Sequence, residues 1–269
     1  MKCELKWFNK NGRLIKSFLL LFIMLAVYTF VLIGTVLYQK DQYAMANMQY
    51  ETSNNDLYLF YAYNPYAVSY SPAYWIVANL LLDFIIPLIL AFFFVDINFK
   101  FRSSKLSNVL IIKTKKYYVL RQFLSVFISS FAVLFVAIIA QGLLGVIVNE
   151  IIKPFGNSII PKPGVALELV YSSLKVSLYF ASLTSLGFSV SLYLGKLFPI
   201  SYVIPLATNV ILVLTFHFNQ PSKLGFIDDG LSRSNQNLIW LFISAIFLVS
   251  LIMILPKVFR KDEIWLNMF

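Results

Sequence analysis

Residues Gln122–Val148 read QFLSVFISSFAVLFVAIIAQGLLGVIV and contain no charged side chain. A helix that crosses the hydrocarbon core of a bilayer needs about 20 mostly apolar residues, and this stretch is longer. Five further mostly apolar stretches of similar length are Ser17–Tyr38, Tyr74–Phe94, Val176–Leu194, Leu197–Phe216 and Leu238–Leu255. The sequence therefore predicts an all-α, polytopic membrane protein with six transmembrane helices in one domain over residues 1–269.

The composition excludes three other classes of protein. Of 269 residues, 59% are hydrophobic and 13% are charged, yet 22 Lys and Arg face only 12 Asp and Glu, a formal net charge of +10. Such hydrophobicity excludes a disordered chain, and the single cysteine, Cys3, excludes a disulfide scaffold. A soluble nucleic-acid binder carries its basic surface on a water-soluble body, so we expect membrane lipids and no nucleic acid as partners.

The cations predict the orientation of the spans. Sixteen of the 22 fall in the N-terminal tail, the second–third loop, the fourth–fifth turn and the C-terminal tail. Short loops rich in Lys and Arg stay in the cytoplasm, so both termini are predicted to be cytoplasmic. The first apolar stretch is longer than the core of a signal peptide and lacks its small-residue cleavage pattern, which favours an uncleaved anchor. We expect a multi-pass protein of a bacterial plasma membrane.

The segments between the spans differ in character. They are an in-plane cytoplasmic stretch at 1–16, an outer loop at 39–73, an inner loop at 97–118 and a polar outer segment at 217–237. The tyrosine-rich outer loop is either an interfacial cap or a surface for an amphiphilic or peptide ligand. The 217–237 segment is either an outer loop or re-entrant. Only Gly195–Lys196 separates the fourth and fifth spans, which predicts a tight helical hairpin.

The inner loop contains a short amphipathic pattern. Leu106, Val109 and Leu110 fall at i, i+3 and i+4, which places them on one helical face, and Ser103 or Ser104 is suited to the N-cap. This short cytoplasmic helix either lies on anionic lipid or docks a cytosolic partner. The residues that would make the docking surface are Ser104, Lys105, Leu106, Val109, Leu110, Lys113, Lys115 and Lys116.

This order of elements resembles the membrane subunit of an ABC transporter of the type-two exporter (ABC-2-like) permease class. The resemblance rests on the in-plane N-terminus, the six spans and the inner loop, where Asp96 leaves the second span and Lys113–Tyr118 (KTKKYY) leads to Arg121. The loop lacks the Gly and Pro that the family commonly has there. In that family the second–third loop carries a coupling helix that sits on the ATPase.

What the resemblance implies is a non-catalytic subunit that exports a hydrophobic or amphiphilic substrate, such as a peptide, antimicrobial or lipid-like molecule. The partners would be two copies of a cytosolic ABC ATPase and a second permease subunit, identical or related. ATP and Mg would bind to the ATPase and no cofactor directly to this chain. Consistently, the sequence has no G-x-x-x-x-G-K-[ST] phosphate-binding motif.

Four polar residues fall inside predicted spans. Asp83 lies in the middle of the second span with Asn79 one turn earlier, and Gln141 and Asn209 lie in the third and fifth. A charged side chain at this depth costs at least about 2.5 kcal/mol and therefore faces protein or water. These residues either line a substrate pathway or hold helices together through hydrogen bonds.

Small residues recur at every fourth position of the fourth span. They are Ser173, Ser177, Ala181, Ser185 and Ser189. This spacing predicts close helix packing, with a hydroxyl-lined substrate surface as the alternative. Gly142 and Gly145 in the third span are suited to receive such a neighbour, and Pro87, Pro199 and Pro205 to kink their helices.

The sequence fits the intramembrane zinc and serine proteases poorly. The only histidine, His217, cannot supply an H-E-x-x-H zinc site. Ser189, in a Gly-x-Ser sequence, is predicted to lie a full span, about 30 Å, from His217. We therefore expect neither catalytic residues nor a metal site. The alternative function is a stand-alone immunity or sequestration protein that binds a toxic peptide with its tyrosine-rich outer loop.

Overall fold

The computed structural model describes residues 12–27, 30, 84–95, 105–152, 165–215 and 233–259. All regular structure in these residues is helical, which confirms the predicted all-α class for this part of the chain. In chain order the helices are α1 (13–27), α2 (Ile86–Phe94), α3 (Lys105–Ile152), α4 (Val165–Leu194), a 3-10 helix (Gly195–Tyr202), α5 (Val203–Thr215) and α6 (Arg233–Phe259).

Two of these helices contain a segment long and apolar enough to cross a membrane. The segments are Val119–Leu144 in α3 and Ser173–Leu194 in α4, which correspond to the third and fourth predicted spans. The shorter apolar segments Pro199–Leu212 and Trp240–Pro256 fall within the fifth and sixth. The first and second predicted spans are described only in part, so the number of six remains a prediction.

Helix α3 is much longer than a bilayer requires. It has 48 residues, about 72 Å at 1.5 Å per residue. Residues 105–118 continue into the apolar segment without a break, because no glycine or proline occurs between Lys105 and Gln141. The predicted short cytoplasmic helix is therefore the first part of α3 and not an element separate from the third span.

Helix α4 is the centre of the bundle and packs against α2, α3, α5, α6 and the 3-10 helix. The contacts of α4 with α6 and α5 show in which direction these helices run relative to α4. Tyr171 lies beside Trp240 and Ser189 bonds to Ser250, so α4 and α6 run parallel. Tyr179 bonds to Asn209, in the middle of α5, while Gly187 lies against the beginning of α5, so these two helices are antiparallel.

The connection between α4 and α5 is a 3-10 helix and not the two-residue turn predicted at Gly195–Lys196. It contains Pro199, and α5 begins only at Val203. Pro205 falls in the first turn of α5, where a missing N–H costs no helical hydrogen bond. A Cβ on Gly187 would lie 2.8 Å from Pro205 Cγ and 3.0 Å from the Ser201 carbonyl oxygen, so glycine permits this approach of the two helices.

The outer surface of the bundle differs from that of a soluble protein, although most buried side chains among the described residues are apolar. Large apolar side chains are exposed on the outer surfaces of the helices, among them Leu143 at 59%, Leu241 at 60% and Ile252 at 62%. Hydroxyl and amide side chains are buried inside; they include Ser125, Ser129, Ser173, Ser177, Ser185, Ser189, Gln141 and Asn209. Soluble monomers rarely expose apolar patches this extensive, so the distribution favours apolar surroundings.

Candidate functional site

Arg13 and Arg121, which are far apart in the sequence, lie at one end of the bundle, here called the basic end. Arg13, at the start of α1, donates from Nη1 to the Phe93 carbonyl oxygen at the end of α2, at 3.0 Å. The neighbouring Phe92 ring lies 6.0 Å from Tyr202 of the 3-10 helix. A cationic side chain on the last carbonyls of a helix also complements the helix dipole.

The remaining helices reach the basic end through contacts around α6. Tyr193, near the end of α4, donates its hydroxyl proton to the Met253 carbonyl oxygen. The ring of Phe247, less than two turns earlier in α6, lies 5.5 Å from Phe123 and 5.0 Å from Phe127 of α3. The apolar segment of α3 therefore begins at the basic end, next to the exposed Arg121.

Residues 105–118 extend α3 beyond this end. At 1.5 Å per residue they add about 20 Å of helix. The backbone of the predicted docking residues Lys105, Leu106, Val109, Leu110, Lys113, Lys115 and Lys116 belongs to this extension. The predicted N-cap residue Ser104 lies outside the described residues. The extension thus places the predicted partner-binding stretch in rigid continuity with the core of the bundle.

The five small residues at every fourth position of α4 are all buried. Ser173, Ser177, Ala181, Ser185 and Ser189 are all 0% exposed. Ser185 Oγ donates to the Ala181 carbonyl oxygen at 2.8 Å, and Ser189 Oγ to the Ser185 carbonyl oxygen at 2.9 Å. Hydroxyls that bond to the carbonyl four residues earlier are satisfied inside their own helix, so they can face an apolar neighbour.

Ser189 makes a second contact that crosses between helices. Its Oγ lies 3.0 Å from the Ser250 carbonyl oxygen of α6, so the single proton is shared between two carbonyls. Ser250 Oγ in turn donates to the Ile246 carbonyl oxygen at 2.7 Å. This arrangement is a packing contact between α4 and α6, whereas His217 lies outside the described residues.

A buried hydrogen bond joins α4 to α5. Tyr179 Oη donates to Asn209 Oδ1 at 2.7 Å, with the two side chains 4% and 0% exposed. Asn209 was a predicted pathway residue, but its partner Tyr179 was not predicted. A tyrosine inside an apolar stretch carries no distinctive signal, and its partner is 30 residues away. Only the antiparallel packing of the two helices brings them together.

Of the other three predicted pathway residues, the structure describes only Gln141. Gln141 of α3 is 4% exposed and is followed by the buried Gly142. Asn79 and Asp83 lie outside the described residues. Within the described part of the chain, the Oγ atoms of Ser125, Ser129 and Ser177 are buried without a hydrogen-bond partner. The interior of the bundle therefore holds polar groups whose hydrogen-bonding capacity is not used by the described helices.

The opposite end of the bundle, where α4 and the apolar part of α6 begin, carries a cation among aromatic rings. Lys175 Nζ lies 4.5 Å from the ring centroid of Tyr171, and that ring lies 6.5 Å from Trp240. Lys175 is 4% exposed and Tyr171 is 44% exposed. The sequence indicated Lys175 only as one of six cations on the outer side, because its burial depends on the helices packed around it.

Among the described residues, no group of three or more His, Cys, Asp or Glu side chains is placed to hold a metal ion. In comparisons with known proteins, no family model, curated protein or solved structure matches the chain.

Proposed function

We propose that this chain is the transmembrane permease subunit of an ATP-driven exporter of the ABC-2-like class, with six spans and both termini in the cytoplasm of a bacterial cell. Hydrolysis of ATP takes place on a separate cytosolic ATPase, of which two copies bind. A second permease subunit, identical or related, completes the pathway. The substrate is hydrophobic or amphiphilic.

The observation that carries this proposal is the continuity of α3. Its first residues, with four lysines between Lys105 and Lys116, belong to the same helix as the apolar segment Val119–Leu144. A cytosolic protein bound to residues 105–118 is thereby linked to the bundle interior without an intervening flexible joint. A stand-alone binding protein has no need of such a link, which is why we favour a subunit moved by a partner.

The packing around α4 supports a role in transmitting that movement. Helix α3 packs along α4, and α4 also contacts α2, α5, α6 and the 3-10 helix. A displacement of α3 therefore alters the interface at the centre of the bundle, as alternating access requires. The buried polar groups, among them Gln141 and Asn209, lie where an amphiphile's polar part would need contacts.

The proposal is tested by co-purification of the tagged chain from its native membrane, with any ABC ATPase that accompanies it identified by mass spectrometry. Substitution of Leu106, Val109 and Leu110 by Asp places three carboxylates on the predicted docking face. We expect this variant to reach the membrane in normal amounts but to lose the ATPase and substrate export. The matched control is Ser107→Asp with Asn108→Asp, which adds carboxylates to the same two turns but outside that face.

The outcomes separate the candidate functions. Loss in the triple variant with retention in the control supports the coupling role of this face. Retention of the ATPase and of export by the triple variant contradicts it, as does equal loss in the control. A chain that protects cells from a toxic peptide without any ATPase is instead the immunity or sequestration protein that we regard as the alternative.

A further inference from the structure

Lys175 departs from the usual behaviour of a lysine near the end of an apolar helix. It is the third residue of the segment Ser173–Leu194. A lysine in this position normally extends along the helix until its ammonium group reaches water. Here Nζ does point one turn toward the start of α4, to the ring of Tyr171, yet the side chain is only 4% exposed.

The ring is an incomplete partner for this charge. Among the described residues Lys175 makes no ion pair, and its contact is with the face of Tyr171 at 4.5 Å. A covered ammonium group normally requires a counter-charge, and a cation–π contact replaces only part of the lost hydration. Tyr171 itself is 44% exposed, so its ring can rotate away without unpacking the core.

We propose that Lys175 binds an oxyanion, the phosphate of an anionic amphiphile, and that the Tyr171 ring occupies this place in the ligand-free chain. An ammonium group is a compact point charge that suits phosphate. The site lies at the end of an apolar segment, the depth at which headgroups lie, and Tyr171 and Trp240 are of the residue types enriched there. The proposal does not depend on the transport function, because it concerns binding to this chain alone.

The experiment measures lipid binding to the purified full-length chain in an uncharged detergent. Native mass spectrometry counts phosphatidylglycerol molecules bound per chain, with phosphatidylcholine as the uncharged reference. We expect Lys175→Met to weaken phosphatidylglycerol binding about tenfold, as for loss of a hydrogen bond to a charged group, and Lys175→Arg to retain it. Tyr171→Ala should strengthen binding about threefold, because the competing ring is removed.

The matched control is Lys16→Met, which removes one charge from an exposed position near the basic end. It separates a specific site from the general attraction of a chain with a net charge of +10 to anionic lipid. Equal weakening by Lys16→Met and Lys175→Met, or no weakening by Lys175→Met, overturns the proposal. Unchanged binding in Tyr171→Ala overturns the role of the ring.

A second measurement reports on the position of the Tyr171 ring. In a variant whose other three tryptophans are replaced by Phe, the emission of Trp240 reports on Tyr171, which lies 6.5 Å away. Phosphatidylglycerol should change this emission saturably, and Lys175→Met should abolish the change. An equal, Lys175-dependent response to inorganic phosphate supports the oxyanion site and identifies a soluble source. The ATPase co-purification does not involve Lys175, so the two proposals fail independently.

Discussion

The two ends of α4 are built differently. Toward the basic end, Gly187, Ser189 and Tyr193 each bring α4 against another helix through close backbone approach or a hydrogen bond. Toward the opposite end, Lys175 has an aromatic ring as its partner and Ser177 Oγ has no hydrogen-bond partner among the described residues. Within α4, the close contacts with other helices therefore lie toward the basic end, whereas its unpartnered hydroxyl lies toward the opposite end; the unpartnered hydroxyls of Ser125 and Ser129 belong to α3.

The largest expected effect is at Gly187. Its replacement by Ala places Cβ 2.8 Å from Pro205 Cγ and 3.0 Å from the Ser201 carbonyl oxygen, so α4 and α5 must move apart. We expect a loss of about 1–3 kcal/mol in stability, measured as a lower melting temperature in detergent. Adding Pro205→Ala to this variant should recover part of the loss. A variant as stable as the wild type would show that this end is not closely packed.

The next effect concerns the hydrogen bond from Tyr179 of α4 to Asn209 of α5. Tyr179→Phe removes the donor to Asn209 Oδ1 at 2.7 Å and leaves a buried carbonyl, at a cost of about 1–2 kcal/mol. A thermal-unfolding double-mutant cycle with Asn209→Ala should give a coupling energy well above error. Additive losses would mean that the two side chains stabilise their helices independently.

A matched pair of serines tests the comparison within one helix. Ser189→Ala removes a hydroxyl that contacts the Ser185 and Ser250 carbonyls, so we expect a loss of about 0.5–1.5 kcal/mol. Ser177→Ala removes an equally buried hydroxyl without a described partner and should change the stability by less than about 0.5 kcal/mol. Equal losses measured by thermal unfolding would contradict the difference between the two ends.

The smallest effect is expected at Lys175, and it has the opposite sign. Because Lys175→Met replaces a covered charge with an apolar side chain of similar length, the ligand-free chain should become more stable by up to about 1 kcal/mol. Lys16→Met, at an exposed position, should leave the melting temperature unchanged. A lower melting temperature for Lys175→Met would show that the cation stabilises its end of α4.

Patterns within one helix were readable from the sequence, whereas contacts between helices were not. Small residues at every fourth position of α4 indicated a closely packed face, and all five are buried. The length and apolarity of Val119–Leu144 and Ser173–Leu194 likewise follow from local sequence. The hydrogen-bond partner of Asn209 and the burial of Lys175 depend on which helices become neighbours. The periodicity of a single helix does not predict those neighbours.

The extent of α3 was predictable from the absence of helix-breaking residues before the third span. The amphipathic pattern of Leu106, Val109 and Leu110 suggested a short helix separate from the third span, although the loop contains neither glycine nor proline to end it. The 3-10 connection after α4 is a different case. Pro199 would be the third residue of an α-helix starting at Leu197, the position that Pro205 holds in α5, so it did not predict this boundary. The absence of helix-breaking residues thus predicted the extent of α3, whereas the start of α5 was not readable from its prolines.

The length of α3 has a mechanical consequence. Residues 105–118 add about 20 Å of continuous helix before the apolar segment, so a straight α3 would act as a lever about its contacts with the bundle. A tilt of about 10° about those contacts moves the outer tip by roughly 4 Å, while side chains beside them shift by a fraction of this distance. If a partner moved the tip, as proposed above, the displacement at the interface with α4 would be smaller than the displacement at the tip.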